Sequence, residues 1–418
     1  MAKQDASYII GIDVGSTKVC TVVAEVNHEG FLEVIGLGTA ESHGMRKGAV
    51  VDLDASAQSV SQAVEEAETM TGLTINAAHI GIAGASIKGY NSRGIIAISR
   101  RNREISESDK QRVIDQARAL SIPSDREIMD VLPQEYTVDG QDGIRDPVGM
   151  VGTRLEVSVH IVTSPITVRQ NILTSVTRAN LSVRDTVLAP LAAAEAVLTE
   201  DEKEFGVALV NIGGETTSIA VFQRGAVRYT AVIPVGGNHF TSDIALGLRT
   251  PIPEAERIKR EYGCALTALV PDVERCAVIE VPSVSGRQPL TLSRQILCDI
   301  LQSRAEEIMT HVHQEILRAG YDRQLCSGLV LTGGGAMMDG LLDVAERVID
   351  LPVRIGVPEG VGGLTERVSS PAYATAVGLV LHGYRRQADE SRLVQRSDNG
   401  LSRATARLRG WLGGFFLS

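Results

Sequence analysis

Asp13 closes an apolar run, and Gly15, Ser16, Thr17 and Lys18 follow it before a second β-branched run begins at once. Two apolar runs around a short polar turn read as a β-hairpin. Glycine and small hydroxyl residues let the backbone N–H groups of such a turn point at one spot, and a nest of this kind holds phosphate oxygens. A carboxylate at the end of the first strand, Asp13, can hold magnesium directly or through water. The GxxxxGK[ST] spacing of a Walker A loop is absent, and a strand rather than a helix follows. About half a chain later the pattern recurs: an apolar strand, Asn211, then Gly213, Gly214, Glu215 and Thr216, and a second strand. A third element, from 325 to 348, is a buried strand, the turn Gly333-Gly334-Gly335 and an amphipathic helix. Its glycines permit close backbone approach to a ligand, and the N-terminus of its helix favours anions.

Two copies about half a chain apart suggest a duplicated α/β domain, one phosphate hairpin facing the other across a cleft. A length of 418 residues and a hydrophobic content of 44% suit two or more globular domains. No apolar run approaches the ~18 residues a membrane-spanning helix needs, and the N-terminus does not read as a signal peptide. Five scattered cysteines, never spaced as CxxC, argue against a disulfide framework or a zinc site and for a reducing cytoplasm. His311 and His313, two apart on a predicted helix, lie on different faces and do not read as metal ligands. A net charge of −10 makes nucleic acid a poor partner.

The C-terminus departs from this pattern. From Arg385 onward there are seven arginines and three acids, so a basic tail follows an acidic body. Residues 386–402 read as a flexible linker. In residues 403–418, RATARLRGWLGGFFLS, a helical projection puts Leu408, Trp411, Leu412 and Phe415 on one face with Leu401 and Ala404. Phe416 lies at the edge of that face, Arg403 and Arg407 lie opposite, and Arg409 flanks. An apolar helical face could dock on the protein's own core, but the preceding linker and the purely basic polar face favour a helix lying in a membrane interface, its rings in the acyl boundary and its arginines on anionic head groups. Gly410, Gly413 and Gly414 cost roughly 1 kcal/mol each within a helix, so folding on lipid is expected.

Hairpin, second hairpin and glycine turn, in that order, resemble the two phosphate motifs and the adenosine motif of the superfamily of actin, heat-shock chaperones and sugar kinases. That resemblance implies an actin-like fold of two domains, each a mixed sheet with helices, closing on ATP and magnesium. It implicates Glu256, Lys259 and Arg260 of EAERIKREYG, and Met337 beside the glycine turn, in holding the nucleotide. SPAYATAVGLVLHG looks like the second connecting helix of the fold. Within the superfamily the chain resembles the bacterial cell-division family FtsA. The segment 84–165 has a helix expected over residues 108–120 and strands around EIMDVLPQEYTVDG, similar to the small inserted subdomain of that family. The stretches around residues 241–265 and 281–301 match it too, as do the linker and tail.

The resemblance implies a division of the chain into a first lobe over 1–83, the inserted subdomain over 84–165, and the rest of domain 1 over 166–204. Domain 2 then spans 205–369, with a smaller subdomain at about 241–300, and a return helix spans 370–385. It further implies a protein that polymerises on the cytoplasmic face of the inner membrane at the division site, tethers filaments of the tubulin-like FtsZ there and recruits later division proteins. Arg294 falls in the region that docks the FtsZ C-terminal tail. By the same resemblance, many ATP-hydrolysing members of the superfamily have Asp where this chain has Asn211, and the heat-shock chaperones and MreB-like proteins have Glu where it has Ala189. An amide binds metal and protons poorly and an alanine does neither, so hydrolysis is expected to be slow or absent. Glu195 and Glu215 lie nearby in sequence, but a glutamate displaced by about 1 Å can cost roughly 100-fold in rate. The rivals are an ATP-binding adaptor of pilus assembly like PilM, which lacks the tail, and a kinase of the same fold, which needs a catalytic carboxylate that the sequence does not offer.

Overall fold

The computed structural model describes residues 7–99, 103–284 and 289–389. The tail residues Arg403, Arg407, Leu408, Arg409, Trp411, Leu412, Phe415 and Phe416, with the amphipathic helix expected of them, lie outside the described residues, as does most of the linker. Among the described residues no helix is long and apolar enough to cross a membrane.

Two sheets carry the same topology. In the first, Ser7–Val14 pairs antiparallel with Lys18–Val26 and that strand with Leu32–Glu41. On the other side of Ser7–Val14, Ala77–Ile82 and then Ser182–Leu188 continue the sheet in parallel. In the second sheet, Val207–Ile212 pairs antiparallel with Thr217–Gln223 and that strand with Ala226–Ile233, while Leu329–Thr332 and Val353–Ile355 add parallel strands on the far side. The central strands are buried on both faces, which is why they read as continuous β-branched runs rather than as alternating ones. This is the actin-like mixed α/β arrangement.

Between the sheets lie two helices, Ala189–Val197 and the return helix, which is helical over residues 374–389. Their small residues let the backbones nearly touch: a Cβ at Gly378 would lie 1.7 Å from the Ala192 carbonyl oxygen. The core around them draws on both sheets, from Ile9 and Val22 on one side to Leu209 and Phe222 on the other. The return helix runs four residues into the stretch read as linker, and there Arg386 forms an ion pair with Asp185 on the first sheet.

The inserted subdomain is a four-stranded antiparallel sheet in the order Lys88–Ala97, Arg154–Pro165, Arg126–Val138, Gln141–Ile144, with one helix across it. That helix spans Glu107–Arg118, starting one residue earlier than its expected position. Ser106 accepts from the Asp109 amide while Asp109 returns a bond to Ser106, a capping box that fixes the start. The second lobe carries its own small subdomain of two helices, Gly237–Leu248 and Ile252–Tyr262, and a hairpin of Val278–Val281 with Leu290–Ser293. The hairpin leads into the long helix Arg294–Ala319.

Candidate functional site

The two hairpin turns are superimposable in their hydrogen bonding. The Gly15 amide donates to the Lys18 carbonyl at 3.1 Å, and the Gly213 amide donates to the Thr216 carbonyl at 2.8 Å. Among the described residues the amides of Ser16, Thr17, Gly214 and Glu215 have no protein acceptor. The turns meet head to head. A Cβ at Gly214 would stand 1.8 Å from Thr17 Oγ1, so any side chain there would require Thr17 to move. Thr17 in turn donates to Asn238 Oδ1 at 3.4 Å. The second turn is braced from below by the start of helix Gly237–Leu248, whose Gly237 and Asn238 amides donate to the Gly213 and Gly214 carbonyls at 2.8 and 2.7 Å. From the first lobe, the Gly48 amide donates to Ser16 Oγ at 3.1 Å, and the Lys47 amide donates to the Glu215 carboxylate across the gap.

A cleft of about 600 Å³ opens from these turns. It is lined by every residue that the sequence reading and the family resemblance assigned to nucleotide binding. Gly15, Ser16, Thr17 and Lys18 form one wall, and Gly213, Gly214, Glu215 and Thr216 form the other. Gly333, Gly334, Gly335 and Met337 line the second lobe beyond them, with Glu256, Lys259 and Arg260 opposite. Gly333 adopts φ +86°, and a Cβ there would meet Asn211 Oδ1 at 2.4 Å. The glycine therefore serves both the turn and the close approach. The cleft is thus a cradle of free amides, with a carboxylate at one end and cations at the other. Amides arranged in this way are donors suited to anionic oxygens.

Individual side chains are less free than their positions suggest. Lys18 lines the cleft, but its ammonium donates to the Ala372 carbonyl at 3.1 Å and stands 3.9 Å from the centre of the Tyr373 ring. Lys259 donates to Thr241 Oγ1 at 2.8 Å and pairs with Glu256 at 2.5 Å; burial holds its pKa below the ordinary lysine range, against the pull of Glu256. Burial works to raise the Glu256 pKa, but hydrogen bonds from Lys259, Thr241 and Arg260 outweigh it and keep the carboxylate below its ordinary value. Asn211 fastens the second hairpin to the return helix by donating to Thr375 Oγ1 at 3.2 Å. Ala189 lines the cleft with no polar atom on its side chain. Glu195 is turned away into an ion pair with Arg385, whereas Glu215 lies in the cleft.

Asp13 sits at the cleft floor. Burial pushes its pKa up to about 6, and the charge of Lys18 opposes that shift only in part. A carboxyl raised above its unfolded value is a liability once ionised. The native state keeps the proton between about pH 4 and 6 while the unfolded chain loses it, so stability falls as pH rises through that window and stays low above it. Two pKa units correspond to about 2 to 3 kcal/mol. An Asp13→Asn variant without ligand is therefore expected to be the more stable protein at pH 7.5, by about 2 kcal/mol in thermal unfolding, and equal to the parent near pH 4. A lower midpoint for the variant at pH 7.5 would contradict this electrostatic account.

Asn238, Gly48, Ala372 and Thr375 also line the cleft and were not singled out from the sequence. Only Gly236-Gly237-Asn238, a glycine pair before a polar residue at a helix start, carries a local signal. Arg294 stands apart from the cleft, at the start of its helix. Its Nε donates to the Tyr262 carbonyl at 2.9 Å and its guanidinium pairs with Glu274, beside the exposed Val273 and Val278.

Comparison with known proteins bears on this geometry. A family model described as "Cell division protein FtsA" matches residues 208–378, and one described as "SHS2 domain inserted in FTSA" matches residues 84–163. The chain is 45% identical over 418 residues to the cell division protein FtsA of Pseudomonas aeruginosa, covering 99% of each. It is 38% identical over 416 residues to that of Escherichia coli K12, covering 98% of each. Among solved structures, a PilM-PilN type IV pilus biogenesis complex matches with a TM-score of 0.65 at 16% identity, covering 90% of this chain and 98% of the other. An MreB of Spiroplasma citri bound to ADP matches with a TM-score of 0.51 at 15% identity, covering 94% and 98%. At these identities the two structures speak to the fold alone.

Proposed function

The chain belongs to the FtsA family of bacterial cell-division proteins, and from that premise we propose that its cleft holds ATP and magnesium as an assembly ligand rather than as fuel. The observation that carries this reading is the meeting of two equivalent turns in one cleft, their outer amides free of protein acceptors. The amides of Ser16, Thr17, Gly214 and Glu215 would take the phosphates, Asp13 the magnesium, and Glu256, Lys259 and Arg260 with the glycine turn the adenosine. Asp13 would hold magnesium as a carboxylate, and the metal, when bound, would supply charge that offsets the phosphates and favours the ionised form of Asp13.

With Asn211 spent on Thr375 and an alanine at 189, no carboxylate stands in the two positions where hydrolysing relatives carry one. Glu215 accepts from the Lys47 amide and so is also engaged. Hydrolysis is therefore slow or absent, and ATP acts by favouring the closed lobe arrangement that polymerises. The filaments form on the cytoplasmic face of the inner membrane at the division site. Residues 403–418 fasten each subunit to anionic lipid, marginally as single anchors and firmly by avidity along a filament. The smaller subdomain takes the FtsZ tail. Val273 and Val278 offer apolar surface, and Arg294 offers a cation that an acidic peptide would win from Glu274.

Sedimentation with anionic vesicles tests this set. The full chain is expected to pellet with vesicles, more so with Mg-ATP, and to carry an FtsZ tail peptide down with it. Deletion of residues 403–418 is expected to leave a folded protein whose vesicle binding drops by roughly 100-fold, since three arginines at ~1 kcal/mol each and the apolar face are lost together. Undiminished pelleting of the truncated chain would overturn the membrane assignment. Rapid ATP turnover would overturn the role given to the nucleotide.

A further inference from the structure

The strand Ala226–Ile233 is the outer edge of the second lobe's sheet, and an open edge exposes backbone groups that need cover. The inserted subdomain, which grows out of the first lobe, supplies that cover through a row of polar side chains on three adjacent strands. Asn91 Nδ2 donates to the Arg228 carbonyl at 3.2 Å. Gln134 Nε2 donates to the Val227 carbonyl at 2.9 Å and lies 3.3 Å from that of Arg228. Between them His160, the cross-strand neighbour of Asn91, places Nδ1 2.7 Å from Asn91 Oδ1 and Nε2 2.8 Å from Thr230 Oγ1. An amide oxygen only accepts, so Nδ1 carries the proton and Nε2 accepts from the Thr230 hydroxyl. Burial pushes this imidazole down to about 4, so it is neutral and the row does not change with ordinary pH. Gly89 makes room: a Cβ there would lie 2.6 Å from both the His160 ring and Thr230 Oγ1. Glu135 with Arg224 and Arg228, and Arg145 with Glu204, add ion pairs at the rim.

These contacts join the lobes at a further place, away from the phosphate turns and the crossing helices. Strand Ala226–Ile233 is paired along its length to Thr217–Gln223, which begins at the second phosphate turn. That ladder gives the turn a continuous hydrogen-bonded route to the row. We propose that the row Asn91–His160–Gln134 couples the lobes, so that the inserted subdomain travels with strand Ala226–Ile233 and its position relative to the first lobe reports closure of the cleft. This rests on the reading of the cleft as a nucleotide site.

Hydrogen exchange of the full chain with and without Mg-ATP tests it. In the parent, Mg-ATP is expected to slow exchange at both phosphate turns, in residues 226–233 and in the inserted strands Lys88–Ala97 and Arg126–Val138. In the double variant Asn91→Ala, Gln134→Ala the turns should still respond, while the response of the inserted strands falls by about tenfold, as expected when hydrogen bonds worth about 1.4 kcal/mol are lost. Gln134→Ala alone, the milder change, should give an intermediate loss if the double variant unfolds. Inserted strands that respond equally in parent and variants, or that stay silent in the parent while the turns respond, would overturn the coupling. Silence at the turns themselves would instead remove the nucleotide reading, and the coupling with it.

Discussion

A Gly214→Val variant is expected to lose at least ~100-fold in affinity for Mg-ATP while keeping its fold. The first added carbon would stand 1.8 Å from Thr17 Oγ1, 3.0 Å from Thr17 Cβ and 3.4 Å from Asn238 Oδ1. Gly214 does not have positive φ, so the backbone tolerates a side chain and the damage is confined to the approach of the two turns. Rotation of Thr17 can move Oγ1 aside, but Thr17 Cβ and Asn238 still crowd the branched side chain, so the turns are expected to part by about 1 Å, enough to take N–H to phosphate contacts out of hydrogen-bond range. Loss of two charge-assisted bonds at about 1.5 to 3 kcal/mol each amounts to a factor of 100 or more. Calorimetric titration gives the affinity, and circular dichroism checks the fold. Because the clash is with one side chain, Thr17→Ala should restore part of the affinity lost in Gly214→Ala. Affinity within twofold of the parent would mean that the turns do not close on a shared ligand.

The second large effect is expected at the crossing of the two central helices. A Cβ at Gly378 would meet the Ala192 carbonyl oxygen at 1.7 Å and its carbon at 2.3 Å. Both are backbone atoms of a buried helix, so no rotamer change relieves the contact. Val377 and Ala192 are fully buried, and the cores of both lobes depend on this spacing. Overpacking of this kind costs roughly 1 to 3 kcal/mol and more where backbone must move. Gly378→Val is therefore expected to lower the thermal midpoint by about 3 °C or more, and the hinge between the lobes should loosen with it. An unchanged midpoint would show that the helices do not cross here.

What could be read from the sequence was chemistry held in backbone turns. Gly15 and Gly213 are recognisable because a nest of amides demands small residues at set positions between two β-branched runs, and both sheets then follow from the repeated pattern. Asn211 and Ala189 could be marked as departures because their side chains lack the expected function wherever they point. Long-range partners were not legible. Nothing local says that the Lys18 ammonium is held by Ala372 and Tyr373, or that Glu215 reaches the Lys47 amide. Arg294 looks like a free cation at a helix start, yet in the fold it is taken up by Tyr262 and Glu274. The polar row of the inserted subdomain left no trace either. Two of its partners are backbone carbonyls, which every residue carries, so Val227 and Arg228 give no sign that they are received by Gln134 and Asn91.

The most direct test of the central claim is a crystal structure of the full chain with Mg-ATP. The account predicts a triphosphate lying between residues 15–18 and 213–216, with the metal beside Asp13 and the base between Lys259 and the Gly333 turn. A nucleotide bound elsewhere, or a cleft without one at saturating Mg-ATP, would contradict it.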